Sequence, residues 1–298
     1  MNKIIATFTI ILLILVIPSV SAQQINIAEK ANQKSVIVTI NETGDIHVIH
    51  IVGSANSPKQ VELIDGEIQN LIITNEEGEE KTVTTIGNND SVMIFPSRSD
   101  SIIEYDLKGV LLLKDNLWTW DFLYLESTNF MIPEELDLIF VNSKPVYLGD
   151  QKGISCHGCQ MILEYAFNEP KNIIDVNWED KEFFVEIGTF TNIENFEFNQ
   201  STKEINFDVN ESDQFITAII PLELLWGPYV VFLDDEKILF QDYKNNGTHV
   251  WINMRPDTAG EISIIGTTVV PEFPIIAPLA IGFLMIMMTP LIKRINLR

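Results

Sequence analysis

Ser35-Val36-Ile37-Val38-Thr39-Ile40-Asn41-Glu42-Thr43-Gly44-Asp45-Ile46-His47-Val48-Ile49-His50 alternates between two faces, stops at a polar turn and then resumes the alternation. Val36, Val38 and Ile40 share one face of an extended chain, and Glu42 to Asp45 are turn formers, so the stretch predicts a β-hairpin. His47 and His50 stand an odd number of positions apart and point to opposite faces of that hairpin. They cannot share a metal ion, and each reads as a surface or structural histidine.

The same period continues outward. Strands are expected over residues 71–74, 81–86, 91–95, 102–113, 118–125, 136–141 and 161–167, separated by turns such as Asn88-Asn89-Asp90 and Lys114-Asp115-Asn116, with a short helix as the reading of 58–68. Glu169-Pro170 interrupts the pattern, since proline disfavours a continuous central strand. A second series follows over 173–177, 183–186, 196–198, 204–209, 215–220, 229–233, 237–242, 248–254 and 260–266, with Asp234-Asp235 as a hairpin turn. Helical periodicity is nearly absent between the two ends. The expected fold is mainly β, with two tandem β-sandwich-like extracellular domains over residues 23–169 and 170–270.

The ends carry the location. Lys3, the apolar run 4–17 and Val20-Ser21-Ala22 form a signal peptide over residues 1–22 with cleavage before Gln23; an uncut signal anchor is the alternative. Residues 275–292 contain no charge and as a helix would rise about 27 Å, enough to span a bilayer. Lys293, Arg294 and Arg298 follow at once, which places the basic tail in the cytoplasm and the bulk outside, a single-pass type I protein of the cell membrane. Residues 271–298 thus hold the Pro271-Glu272-Phe273-Pro274 motif, the transmembrane helix and the tail.

Composition agrees. The 42 acidic residues outnumber the 19 basic ones for a net charge of −23, and none lies in either apolar end. Such a field repels nucleic acid and favours cations, or simply keeps an exposed surface soluble. Asparagine sequons at Asn41, Asn89, Asn199, Asn210 and Asn246 fall in the exported part and are glycosylation candidates.

A resemblance rests on particular residues: Ile205 to Val209, Ile219-Ile220-Pro221-Leu222-Glu223-Leu224-Leu225-Trp226-Gly227-Pro228-Tyr229-Val230-Val231, Asn246-Gly247-Thr248-His249, Ile262 to Val270, and Pro271-Glu272-Phe273-Pro274. This order resembles the membrane-proximal β-sandwich module of archaeal cell-surface proteins, which end in a Pro-Glu-Phe tripeptide, a membrane helix and a basic cluster similar to archaeosortase sorting signals. The resemblance implies archaeal origin and surface anchoring, and brings no activity with it. Residues 23–168 resemble only uncharacterised archaeal ectodomains.

Cys156-His157-Gly158-Cys159 is the one chemically pointed cluster. In an exported chain without other cysteines the two thiols either pair as a loop staple, the preferred reading, or act with His157 as ligands of Cu(I) or Zn(II), with Met161 as a further donor. Haem attachment is disfavoured because position 160 is Gln. Asp208, Asn210 and Ser212 imitate the start of a calcium loop, but Asp213 and Ile219 occupy its glycine and glutamate positions. Calcium between other acidic turns, Glu76 to Glu80, Glu134-Glu135 and Asp234 to Glu236, is the remaining cation reading. Trp118, Trp120, Phe122 and Tyr124 share one strand face, which reads as core in preference to a carbohydrate strip. His249 has no evident partner. No catalytic motif is recognisable, so the enzyme question leans towards no. The sequence therefore predicts a structural, adhesive or binding module at the membrane, with a surface glycan or protein as partner; a metal or redox protein centred on Cys156, His157 and Cys159 is the alternative.

Overall fold

The structure, a computed structural model, describes residues 28–178 and 180–266. The signal segment, the Pro271-Glu272-Phe273-Pro274 motif and the apolar run 275–292 lie outside the described residues. Among the described residues the chain is mainly β, without any helix long and apolar enough to cross a membrane.

The expected hairpin forms at the centre of the N-terminal half. Strands Gln33–Ile40 and Ile46–Val52 pair antiparallel with Val38 opposite Val48 and Ile40 opposite Ile46. Asn41 closes the turn by accepting hydrogen bonds from the backbone N–H groups of Thr43 and Asp45 at 3.0 and 2.8 Å. Because successive side chains leave opposite faces, Val36, Val38, Ile40, Ile46 and Val48 are all buried while their neighbours face outward.

This hairpin belongs to a nine-stranded sheet. Its spatial order is Lys144–Tyr147, Leu138–Val141, Gly153–Tyr165, Leu117–Met131, Gln33–Ile40, Ile46–Val52, Ser101–Lys108 and Glu67–Asn75, with Leu112–Lys114 paired to Leu117–Met131. A four-stranded sheet, ordered Glu29–Lys30, Lys59–Glu62, Ser91–Ile94 and Thr85–Ile86, shares its core through Val61, Val92 and Ile94. Trp120, Phe122 and Tyr124 are buried in that core as expected, and Trp118 packs at its margin.

Four local expectations change, one of them in the C-terminal half, where the strand expected over 237–242 divides at Ile238-Leu239 into Glu236–Lys237 and Phe240–Asn245 on different sheets. The helix read into 58–68 is instead the strand Lys59–Glu62, because Val61 fills the core opposite Val92. The strand expected over 81–86 narrows to Thr85–Ile86. The run 102–113 breaks at Gly109, whose φ of 69° is a turn conformation that glycine adopts without strain, into Ser101–Lys108 and Leu112–Lys114.

The C-terminal half closes two five-stranded sheets over a second core. One is ordered Lys171–Trp178, Lys181–Gly188, Ile216–Pro221, His249–Met254 and Phe240–Asn245; the other Ile193–Asn199, Glu204–Val209, Gly260–Ile265, Val230–Leu233 and Glu236–Lys237. Asp234 and Asp235, with φ of 47° and 68°, form the expected tight turn.

The halves meet through aromatic and charged side chains. The rings of Phe140 and Phe215 stack with centroids 3.5 Å apart. Arg255 lies over the Phe215 ring at 4.6 Å and reaches across to the buried Glu164, Nη1 to Oε1 3.2 Å. Leaving that carboxylate buried without a partner would be costly, so the pair fixes the junction.

Candidate functional site

Across the outer face of the first five-stranded sheet, strand register lines up Ile173, Glu186, Ile219, Trp251 and Lys244 in one row. These are the positions that alternation turns away from the core: Val185 and Ile187 flank Glu186 inward, and Val250 and Ile252 flank Trp251 inward. The N-terminal half stands over part of this row with Leu136, Tyr147, Phe167 and Glu169, and the two enclose a cleft of about 750 Å³.

Two of its carboxylates are paired with lysines. Lys171 Nζ lies 2.9 Å from Glu186, and Asp137 is 2.7 Å from Lys152. Burial pushes the Glu169 carboxyl up to about 7; Lys171 opposes the shift and Glu186 adds to it. Below that pH Glu169 is a neutral donor. A Cβ at Gly188 would meet Glu169 Oε2 at 2.7 Å, so a larger residue there would displace that carboxylate. Lys244 places its ammonium 3.7 Å from the Tyr147 ring centre and 4.4 Å from that of Trp251, a cation held between aromatic faces from the two halves. Tyr243 bonds Thr217, and burial raises its hydroxyl above the usual range. A domain-junction cleft with aromatic walls and a few fixed donors and acceptors suits a small, hydroxyl-rich ligand.

None of these residues emerged as a site candidate from sequence, because they come from strands far apart in the chain. The nearest signal was an outward tryptophan, Trp251, in an otherwise regular alternating strand.

Cys156 and Cys159 stand at disulfide distance with Cα atoms 5.8 Å apart, but the cluster lies within the strand Gly153–Tyr165 and not in a free loop. On a regular strand residues three apart face opposite ways. Here the register shifts against Leu117–Met131, and Gly158, at φ 62°, turns the chain so that both sulfurs meet. A Cβ at Gly158 would sit 2.6 Å from the Leu125 carbonyl oxygen. His157 engages Ser127, Nδ1 to Oγ 2.9 Å. Among the described residues no group of three or more His, Cys, Asp or Glu side chains is arranged to hold a metal ion.

The other candidates scatter over the surface. In the sequons of Asn41, Asn199 and Asn246, the asparagine oxygen accepts from the hydroxyl two residues on, at 2.8, 2.7 and 2.9 Å. Asn89 lies at φ 71° before a buried Ser91, and Asn210 donates to Glu194 at 3.1 Å. Asn246 stands at the rim of the cleft beside His249, whose Nδ1 lies 3.0 Å from the Thr248 hydroxyl, a partner the sequence did not reveal. His47 pairs with Asp106 at 2.9 Å on the outer face, whereas His50 is buried.

No protein-family description matches the chain, and no curated protein does. Among solved structures, an aminopeptidase N family protein from Idiomarina loihiensis is similar over 50% of this chain and 31% of that one, with 9% identity and a TM-score of 0.34. The chain thus spans about a third of that protein's length. A likeness this slight carries no argument about activity.

Proposed function

We propose that this chain is a surface protein of two tandem β-sandwich domains, 23–169 and 170–270, exported by its N-terminal segment, anchored through residues 275–292, and acting as a binding module. The observation that carries the binding role is the cleft between the halves. Its floor row ends in Trp251 and Lys244, its wall supplies Tyr147, and Lys171 and Glu186 neutralise one another. We read it as a site for a neutral oligosaccharide, whose ring would take the place Lys244 holds between the Tyr147 and Trp251 faces and whose hydroxyls would meet the paired Lys171 and Glu186.

The test is binding of the purified full chain to arrayed neutral and carboxylated oligosaccharides, followed by titration of any hit. Trp251→Ala and Tyr147→Ala are expected to weaken a neutral hit at least tenfold while the protein stays folded. Equal binding by wild type and both variants, or no hit among the neutral sugars, would overturn the reading. In the same scheme Cys156 and Cys159 form a local disulfide staple. Intact mass with and without reductant, together with copper, zinc and calcium analysis, separates that role from the metal or redox alternative: metal bound with both thiols free would move the functional centre to His157 and its two cysteines.

A further inference from the structure

The last described strand, Gly260–Ile265, leaves the C-terminal half at one end of its second sheet. Ile265 pairs there with Val230 and with Glu204. Gly266 follows, donating its N–H to the Lys203 carbonyl at 3.0 Å. The backbone of Trp226 closes over this exit, since a Cβ at Gly266 would lie 2.6 Å from the Trp226 carbonyl oxygen. Trp226 and Leu239 are large apolar side chains of this half that stand exposed. Trp226, over the exit, is 44% exposed and Leu239 93%. Leu239 follows Ile238, whose N–H bonds the Val231 carbonyl at 3.0 Å one step beyond the pairing of Phe232 with Lys237, and precedes Phe240, which pairs with Met254 in the other sheet.

Nine residue steps separate Gly266 from Ile275, where the apolar run begins. At most about 3.6 Å per step, that tether holds the exit end within about 30 Å of the point where the run would enter lipid. A bilayer is therefore the apolar phase this end meets at high local concentration. Tryptophan is the residue that settles most readily at the boundary between headgroups and acyl chains, and an exposed leucine adds area to such a contact. The chain's net charge of −23 argues against attraction by anionic headgroups, so the contact is apolar in kind.

We infer that Trp226 and Leu239 form a membrane-contact face that seats the C-terminal half on the bilayer surface. The inference rests on the anchored reading proposed above. It gives the module a fixed orientation, with the exit end against lipid, instead of a freely swinging one.

The experiment reconstitutes the full chain into phosphatidylcholine vesicles with and without brominated acyl chains, checks flotation, and then reads tryptophan emission. The expected result is co-flotation, quenching of part of the wild-type emission by brominated lipid, and loss of that part in Trp226→Phe. Placing tryptophan back by Leu239→Trp in the Trp226→Phe background is expected to restore quenching. Co-flotation with the same quenching in wild type and Trp226→Phe, or with none, overturns the membrane-contact face and leaves anchoring intact. Failure to float overturns both. A Trp226 signal that changes with protein concentration in detergent but not with brominated lipid would assign the face to a second copy of the chain, and would likewise overturn the inference.

Discussion

The C-terminal half closes two equal sheets over side chains such as Ile205, Phe207, Ile220, Ile252 and Ile264, none more than 0% exposed. In the N-terminal half nine strands face four, and the smaller sheet is pinned by a buried polar chain as well as by packing. His50 bonds Gln33 at 2.6 Å and the Tyr105 hydroxyl at 2.9 Å; that hydroxyl accepts from the Ile64 N–H, and Tyr124 donates to the Glu62 carbonyl at 2.6 Å. The buried polar side chains of the C-terminal half bond elsewhere: Asn253 donates to the Ile216 carbonyl at 3.2 Å and the Thr217 hydroxyl at 3.1 Å within one sheet, and the Thr191 hydroxyl accepts from the Glu211 N–H at 3.1 Å in a connecting loop. In the N-terminal half the polar chain runs between unequal sheets, where apolar contact does not specify where the shorter one stops and directional bonds do.

The largest loss is expected at Phe207, in the core of the C-terminal half. Phe207→Ala is expected to cost about 3–5 kcal/mol, the usual range for emptying such a site, and calorimetry should show the loss in the transition of the C-terminal half. If both halves lose stability together, they unfold as one unit. Arg255→Met comes next, at about 3 kcal/mol, because it strands Glu164 without its cation; here the measurement is whether denaturant melts the two halves separately in the variant. His50→Leu is expected to cost about 2 kcal/mol by unpairing Gln33 and Tyr105. A variant as stable as wild type would show that shape suffices in the N-terminal half.

The buried His50 and the half-buried Glu169 pull in opposite directions with pH. Burial holds His50 down to about 3, below its ordinary 6.5, so stability present above pH 6.5 is lost progressively as pH falls towards 3. Glu169 is raised from 4.5 to about 7, so its cost grows as pH rises through that interval and stays above it. Glu169→Gln should therefore stabilise the protein by about 2 kcal/mol at pH 8 and by almost nothing at pH 4, a value reduced for partial exposure; melting temperatures at the two pH values check it. The smallest effect expected is from Gly158→Ala, about 1–2 kcal/mol, since alanine is strained at positive φ and crowds Leu125. Slower re-formation of the Cys156–Cys159 pair after reduction is its companion readout.

Most strands, the hairpin at residue 36 and the tight turn at Asp234-Asp235 were legible in the chain, because period-two alternation and turn residues are local properties. The Cys156-His157-Gly158-Cys159 cluster was legible as a pair but not as part of a strand; that needed the bulge at Leu125-Glu126 opposite Gly158. Register was not legible. Nothing near Glu186, Ile219, Trp251 or Lys244 announces that they form one row, since hydrogen bonds between strands distant in sequence set that alignment. Local alternation and composition thus set which residues extend, which face inward and which ends are apolar. Folding across the chain leaves Glu169 half-buried in the field of Glu186, Lys244 between two rings, and the Trp226 backbone over the exit of the last strand, because desolvation and contact belong to neighbours that only the folded chain assembles.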